Sequence, residues 1–112
     1  MARVEIIDSL AKEIQKKFKG ESNKIVKLLR TLEENPHKGK FVGRVSEILI
    51  KELKYKSFRF YFLVDGHKLM IYSKEELANL LIKIVRMSDK KSQQETINEI
   101  KNILLKISAG GF

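Results

Sequence analysis

A chain of 112 residues, 43% of them hydrophobic, is long enough for one domain with its own core and short for two. It contains no cysteine, which excludes disulfides, thiolate nucleophiles and cysteine-ligated zinc. Its 23 Lys and Arg against 14 Asp and Glu give a formal charge of +9 and an isoelectric point near 9.8, a balance that favours a polyanionic partner.

The β-branched Val4, Ile6 and Ile7 predict a short N-terminal strand, with Asp8 or Ser9 capping the helix that follows. In residues 9–20, Leu10, Ala11, Ile14 and Phe18 recur at helical spacing and Gly20 supplies a stop. Ser22 is expected to cap a second helix, with the stripe Ile25, Leu28, Leu29 and Leu32 and an end at Asn35 before Pro36. The link between them is so short that the two should pack as an antiparallel hairpin.

From Phe41 the period changes to two. Residues 41–45 read as a brief or irregular strand, 47–55 and 58–64 as full strands, and Asp65-Gly66 as a hairpin turn into a strand "KLMIY". Ser73 and Glu76 form a capping box at the head of "SKEELANLL", predicting a short helix or turn before the strand "LIKIVRM". Ile97, Ile100, Ile103, Leu104 and Ile107 then mark a C-terminal helix, with residues 108–112 as a loose tail. The expected fold is α+β: a short N-terminal strand, a two-helix hairpin, an antiparallel twisted sheet and a C-terminal helix, with helices on one sheet face and the other open. Neither a signal-peptide run nor a stretch of about 18 apolar residues is present, so the protein is expected to be soluble and cytoplasmic.

Several familiar chemistries do not fit. "GKFVGRVS" lacks the four residues between glycines that a phosphate loop requires. His37 and His67 have no carboxylate or second histidine at metal-ligand spacing, so no metal or other cofactor is expected. Glu33 with Glu34, and Glu75 with Glu76, are adjacent residues that diverge on a helix and read as caps and solubilising charges. Ser9, Ser22 and Ser73 have capping explanations, and no Ser, His and Asp set is evident.

The basic segment from Pro36 to Arg59 remains. It holds seven cations (Lys38, Lys40, Arg44, Lys51, Lys54, Lys56, Arg59) against Glu47 and Glu52, a net of +5 within the +9 of the whole chain. Period-two geometry sets Phe58, Phe60 and Phe62 on one face, against the helices, and Arg59 and Tyr61 on the other. By the same parity Ile82, Ile84 and Arg86 share a face, opposite Lys83, Val85 and Met87. For any single lysine a solvated strand surface is an adequate account; for the cluster it is a weaker one.

The helical hairpin ending "LEENPHKGKFVG", then "IKELKYKSFRFYFLVDG", then "IKIVRMSDKKSQQETINEIKNIL" resembles the RelE/HigB-like toxins of toxin–antitoxin systems, over nearly the whole chain. The matching pieces are Asn35-Pro36, Glu52-Leu53, Phe58-Arg59 and the Lys90–Gln93 approach to the last helix. Two departures stand out. The aromatic expected after the arginine as Tyr is matched by Phe62, with Tyr61 one place earlier, and "YSKEELANLL" looks inserted.

The resemblance implies a metal-independent endoribonuclease that cuts messenger RNA on the ribosome and is neutralised by a cognate antitoxin protein. The ribose 2′-hydroxyl would attack the adjacent phosphate, leaving a cyclic phosphate and a free 5′-hydroxyl, and DNA would not be cut. Such chemistry needs a base, cations at the transition state and an acid for the leaving oxygen. Arg59 is matched to the family's strand arginine as the phosphate contact, with Arg86 second and Lys54, Lys91 and Tyr61 as further catalytic candidates. Lys51, Lys54 and Lys56 are candidate bases, since crowding by cations lowers a lysine pKa. Lys38, Lys40, Arg44, Lys51, Lys56 and Lys90 are expected to hold the RNA backbone. The competing expectations are a non-catalytic RNA-binding module on the same scaffold and a ParE-like inhibitor that binds another protein.

Overall fold

Apolar residues recur in the chain at two periods, and each period sets its own layer. A computed structural model describes residues 2–70 and 80–110. The period-two segments become β1 (Arg3–Ile6), β2 (Lys40–Val45), β3 (Ile48–Tyr55), β4 (Phe58–Asp65) and β5 (Leu81–Asp89), joined in one sheet of order β1-β5-β4-β3-β2. The helical segments become α1 (Asp8–Phe18), α2 (Ser22–Arg30), a short α3 (Gly66–Met70) and a long α4 (Gln93–Gly110). The expected α+β layout is therefore present, with one parallel pair, β1 beside β5, in an otherwise antiparallel sheet.

One sheet face carries the helical hairpin. Leu10 and Ile14 of α1 and Ile25 and Leu29 of α2 pack on Leu53, Phe60, Phe62, Val64, Ile82 and Ile84. The hairpin turn differs from expectation. The positive φ of 46° falls on Lys19, while Gly20 sits inside a 3-10 turn, Lys19–Glu21. Neither Asp8, Ser9 nor Ser22 caps a helix by its side chain; the Ser22 hydroxyl instead donates to the Ile14 carbonyl and ties the two helices together.

The opposite face is not open throughout. Ile97, Ile100 and Leu104 of α4 bury themselves against Val45, Ile50, Tyr61 and Leu63 in a second core. Each such side chain contributes about 1.5–3 kcal/mol by leaving water. Gly43 on β2 is buried beneath the far end of the Lys101 side chain, which would have to shift to admit a Cβ there.

Asp65-Gly66 does not turn into a strand. The Asp65 carboxylate accepts the backbone amides of His67 and Lys68 and so caps α3. The predicted strand "KLMIY" is accordingly helical as far as Met70. Its last two residues, and residues 73–79 of the helix expected in "SKEELANLL", lie outside the described residues. At the other end, the backbone of α4 continues to Gly110, through part of the segment expected to be loose. No described helix is long and apolar enough to cross a membrane.

Candidate nucleic-acid interface

Strand registers fix which charged residues share a face. On the α4 side, one row across the sheet runs Lys40, Glu52, Tyr61, Arg86, and the next runs Lys54, Arg59, Ser88. The second core includes Tyr61 of the first row and continues away from the second, so α4 roofs one half of the face and leaves the end with the exposed Lys54 and half-buried Arg59 open. At the border between the halves, the Gln93 amide donates to a Glu52 carboxylate oxygen at 3.2 Å.

Lys54 is exposed and Arg59 half-buried, directly opposite each other. The Arg59 guanidinium donates to the Ser57 carbonyl at 3.2 Å. Among the described residues the ion pairs are Arg30–Glu33, Lys56–Glu21, Lys83–Glu5 and Arg86–Glu99. Lys54 and Arg59 are in none of them, which leaves their charge available to an anion.

The turn after β5 is built by Asp89, whose carboxylate accepts both the amide and the hydroxyl of Ser92. Those bonds hold the carboxyl below its ordinary value. The turn joins Ser88, opposite Arg59, to Gln93, bonded to Glu52, so the exposed Lys90 and Lys91 lie at the margin of the same face.

Other candidates fall elsewhere. Tyr61 shares the face but is fully buried under α4, its hydroxyl 2.7 Å from the Ser88 hydroxyl. Burial raises its phenol above the ordinary value; the Ser88 hydrogen bond opposes that shift, the Glu52 charge adds to it and Arg59 opposes it. A ring in that position cannot stack an incoming base.

Arg86 is also on this face, contrary to the parity of Ile82 and Ile84. A bulge at Val85 lets Tyr61 pair with Arg86 and Phe62 with Ile84, so Arg86 is turned to the α4 side and Met87 to the other. There the Arg86 guanidinium donates to Glu99 at 2.8 Å and to the Val85 carbonyl at 2.8 Å.

Lys51 is buried on the hairpin face, in the row Phe41, Lys51, Phe62, Ile84, and donates to the His37 carbonyl at 2.8 Å. Burial lowers its ammonium below the ordinary 10.5, but it stands across the sheet from Arg59 and is no base for chemistry there. Lys56, at the β3–β4 turn, donates to Glu21 at 2.6 Å, and that bond raises its pKa. Arg44 is exposed on the hairpin face near the α3 end, in the row of Leu49 and Val64, with its Nε on the Ser46 carbonyl. Lys38 is exposed on the loop before β2 and reaches Thr31.

Glu52 is the residue that sequence reading passed over as a functional group. It sits one row from Lys54 and Arg59, only 7% exposed. Its position two residues before Lys54 on a strand, hence on the same face, was the available signal. The assembled set is one sheltered carboxylate beside a row of cations, with Lys40, Lys90 and Lys91 around it. Such a set can hold a phosphate diester and accept a proton next to it. No family model, curated protein or solved structure matches the chain.

Proposed function

We propose that the protein is a RelE/HigB-like endoribonuclease toxin, acting in the cytoplasm on messenger RNA at the ribosome and held in check by an antitoxin. The observation that supports this reading is the Lys54–Arg59 pair, outside every described ion pair, one row from the Glu52 carboxylate on the same face. In this reading Glu52 takes the proton of a ribose 2′-hydroxyl as its oxygen bonds to phosphorus. Arg59 and Lys54 stabilise the negative charge that builds on the phosphoryl oxygens. The bond from phosphorus to the 5′-oxygen breaks, and Lys91 or Lys90 supplies the proton to that oxygen. The products are a 2′,3′-cyclic phosphate and a 5′-hydroxyl. An antitoxin would place carboxylates against the same cations.

The test is cleavage of a defined messenger RNA in chelator, with and without translating ribosomes. Cutting at a ribose position, cyclic phosphate ends and no cutting at a 2′-deoxy substitution are expected. Intact RNA in both settings would remove the catalytic reading. A second reading is favoured by the burial of Tyr61 and the Arg86–Glu99 pair, which withdraw two expected catalytic side chains. It is a non-catalytic module in which the same face grips RNA, recognised by binding that weakens steeply with salt and yields no cut product.

A further inference from the structure

Phe41 is 57% exposed on the edge strand β2, whereas Phe60 and Phe62 are fully buried and Phe18 and Phe58 are half-buried against the hairpin core. It ends a stretch, His37 to Phe41, in which every residue is exposed. That stretch is nonetheless held from beneath. Gly39 takes a φ of +106° and lies so close to the Phe62 ring that a Cβ would stand 2.7 Å from it. Lys51 reaches from the hairpin face to the His37 carbonyl at 2.8 Å, the Lys38 amide donates to the Asn35 carbonyl at 3.0 Å, and Pro36 is buried. The held loop thus leads into an exposed phenyl ring at the start of β2, with Lys38 and Lys40 just before it in the chain.

We infer that Phe41 is a base-stacking platform for single-stranded RNA, an extension of the basic face around the open edge of β2. The inference rests on the RNA reading above. Lys40 and Phe41 are consecutive on the edge strand β2 and so point to opposite faces: Lys40 joins the row of Glu52, and Phe41 joins the row of Lys51, round the edge on the hairpin face. A strand held at Arg59 and Lys54 and running towards β2 crosses two strand spacings, roughly 10 Å, before it reaches that edge. The next phosphates meet Lys40 and Lys38, and a base beside them meets the ring. Stacking on a phenyl ring tolerates any base, and lysines at its sides attract the backbone without reading sequence. An apolar partner alone would explain the ring but not the exposed lysines next to it in the chain.

The chain contains no tryptophan, so Phe41→Trp introduces a single reporter at the platform. A single-stranded RNA of about eight nucleotides is expected to quench its emission saturably, and an abasic ribose-phosphate strand of equal charge is expected to leave it unchanged. By fluorescence anisotropy, Phe41→Ala should weaken binding of the base-bearing RNA about tenfold and leave the abasic strand as in the wild type. If the wild type binds the RNA while the tryptophan is silent and Phe41→Ala binds as tightly, the platform is refuted and the RNA reading stands. An equal loss for both strands also refutes stacking, because the ring would then act only through the loop. If the wild type binds neither strand, the platform and the RNA reading fall together.

Discussion

The hydroxyls of Tyr61 and Ser88 meet at 2.7 Å across two adjacent rows, Tyr61 lying between Glu52 and Arg86 and Ser88 directly opposite Arg59. The pair is a floor under the cationic face and not part of its surface. Tyr61→Phe should therefore lower stability by about 1 kcal/mol, from the lost hydrogen bond and the Ser88 hydroxyl it leaves buried. RNA binding and cleavage should stay near wild type. Urea unfolding and a cleavage assay check the two halves; a folded variant that has lost cleavage would give Tyr61 a chemical role.

Glu52→Gln keeps an oxygen for the Gln93 amide and removes the proton acceptor. Cleavage should fall by roughly 10²–10⁴-fold, with RNA binding equal or tighter. Arg59→Ala should behave differently, weakening binding and lowering the salt dependence by about one phosphate contact. Single-turnover cleavage and anisotropy across salt concentrations separate them.

Glu99 neutralises Arg86 at the edge of the same face, in a partly exposed pair. Glu99→Gln should free a cation for RNA, tightening binding and steepening its salt dependence by about one contact, at a stability cost below about 1 kcal/mol. Unchanged affinity would mean that bound RNA does not extend as far as Arg86.

The native pKa of Lys51 lies below the unfolded value of 10.5, because burial disfavours its charge. Between those two values the native state has released a proton that the unfolded chain still holds, so stability rises with pH. The contribution from Lys51 is fully present above 10.5 and is lost as pH falls through the lowered value. Compared with Lys51→Met, the wild type should accordingly gain ground as pH rises from neutral towards 10.5. Paired urea melts give the difference, and a flat difference would contradict the burial.

Two glycines should respond in opposite directions to alanine. Gly20 has open space at its Cβ position and no positive φ, so Gly20→Ala should stabilise by about 0.4–1 kcal/mol. Gly39 combines a φ of +106° with a position where an added Cβ would stand 2.7 Å from the Phe62 ring, so Gly39→Ala should destabilise by more than about 1 kcal/mol and disturb the segment leading into β2. Thermal or urea melts report both.

Local periodicity carried most of the architecture. The stripes of α1, α2 and α4 and the alternation in β3, β4 and β5 rest on near-neighbour spacing, which a sequence displays directly. The second core was also written there, since Tyr61 and Leu63 are as apolar as Phe60, Phe62 and Val64. A strand apolar on both sides is one that is covered twice. The bulges at Val42 and Val85 were not legible, because one extra residue reverses parity without altering composition. That is why parity grouped Arg86 with Ile82 and Ile84 and left open where it points. Asp65-Gly66 misled because the same pair suits a hairpin turn and a helix start, and only the amides of His67 and Lys68 decide which. For the site, charge counting found the region but not the face. Of the seven cations between Pro36 and Arg59, the strand register gathers Lys40, Lys54 and Arg59 and puts Arg44 and Lys51 on the other face, while Lys38 and Lys56 lie outside the strands.

The parallel seam between β1 and β5 imposes an order of events on synthesis. Residues 3–6 find their partners only at residues 81–84, and the Glu52 carboxylate meets its amide only when Gln93 exists. A growing chain can close the hairpin of β3 and β4 early, since those contacts are near in sequence, while the distant seam and the lid over Tyr61 must wait. The enclosed carboxylate and the finished sheet therefore arrive together, late in translation, and a truncated product would carry the cations without the pocket that sets Glu52 among them.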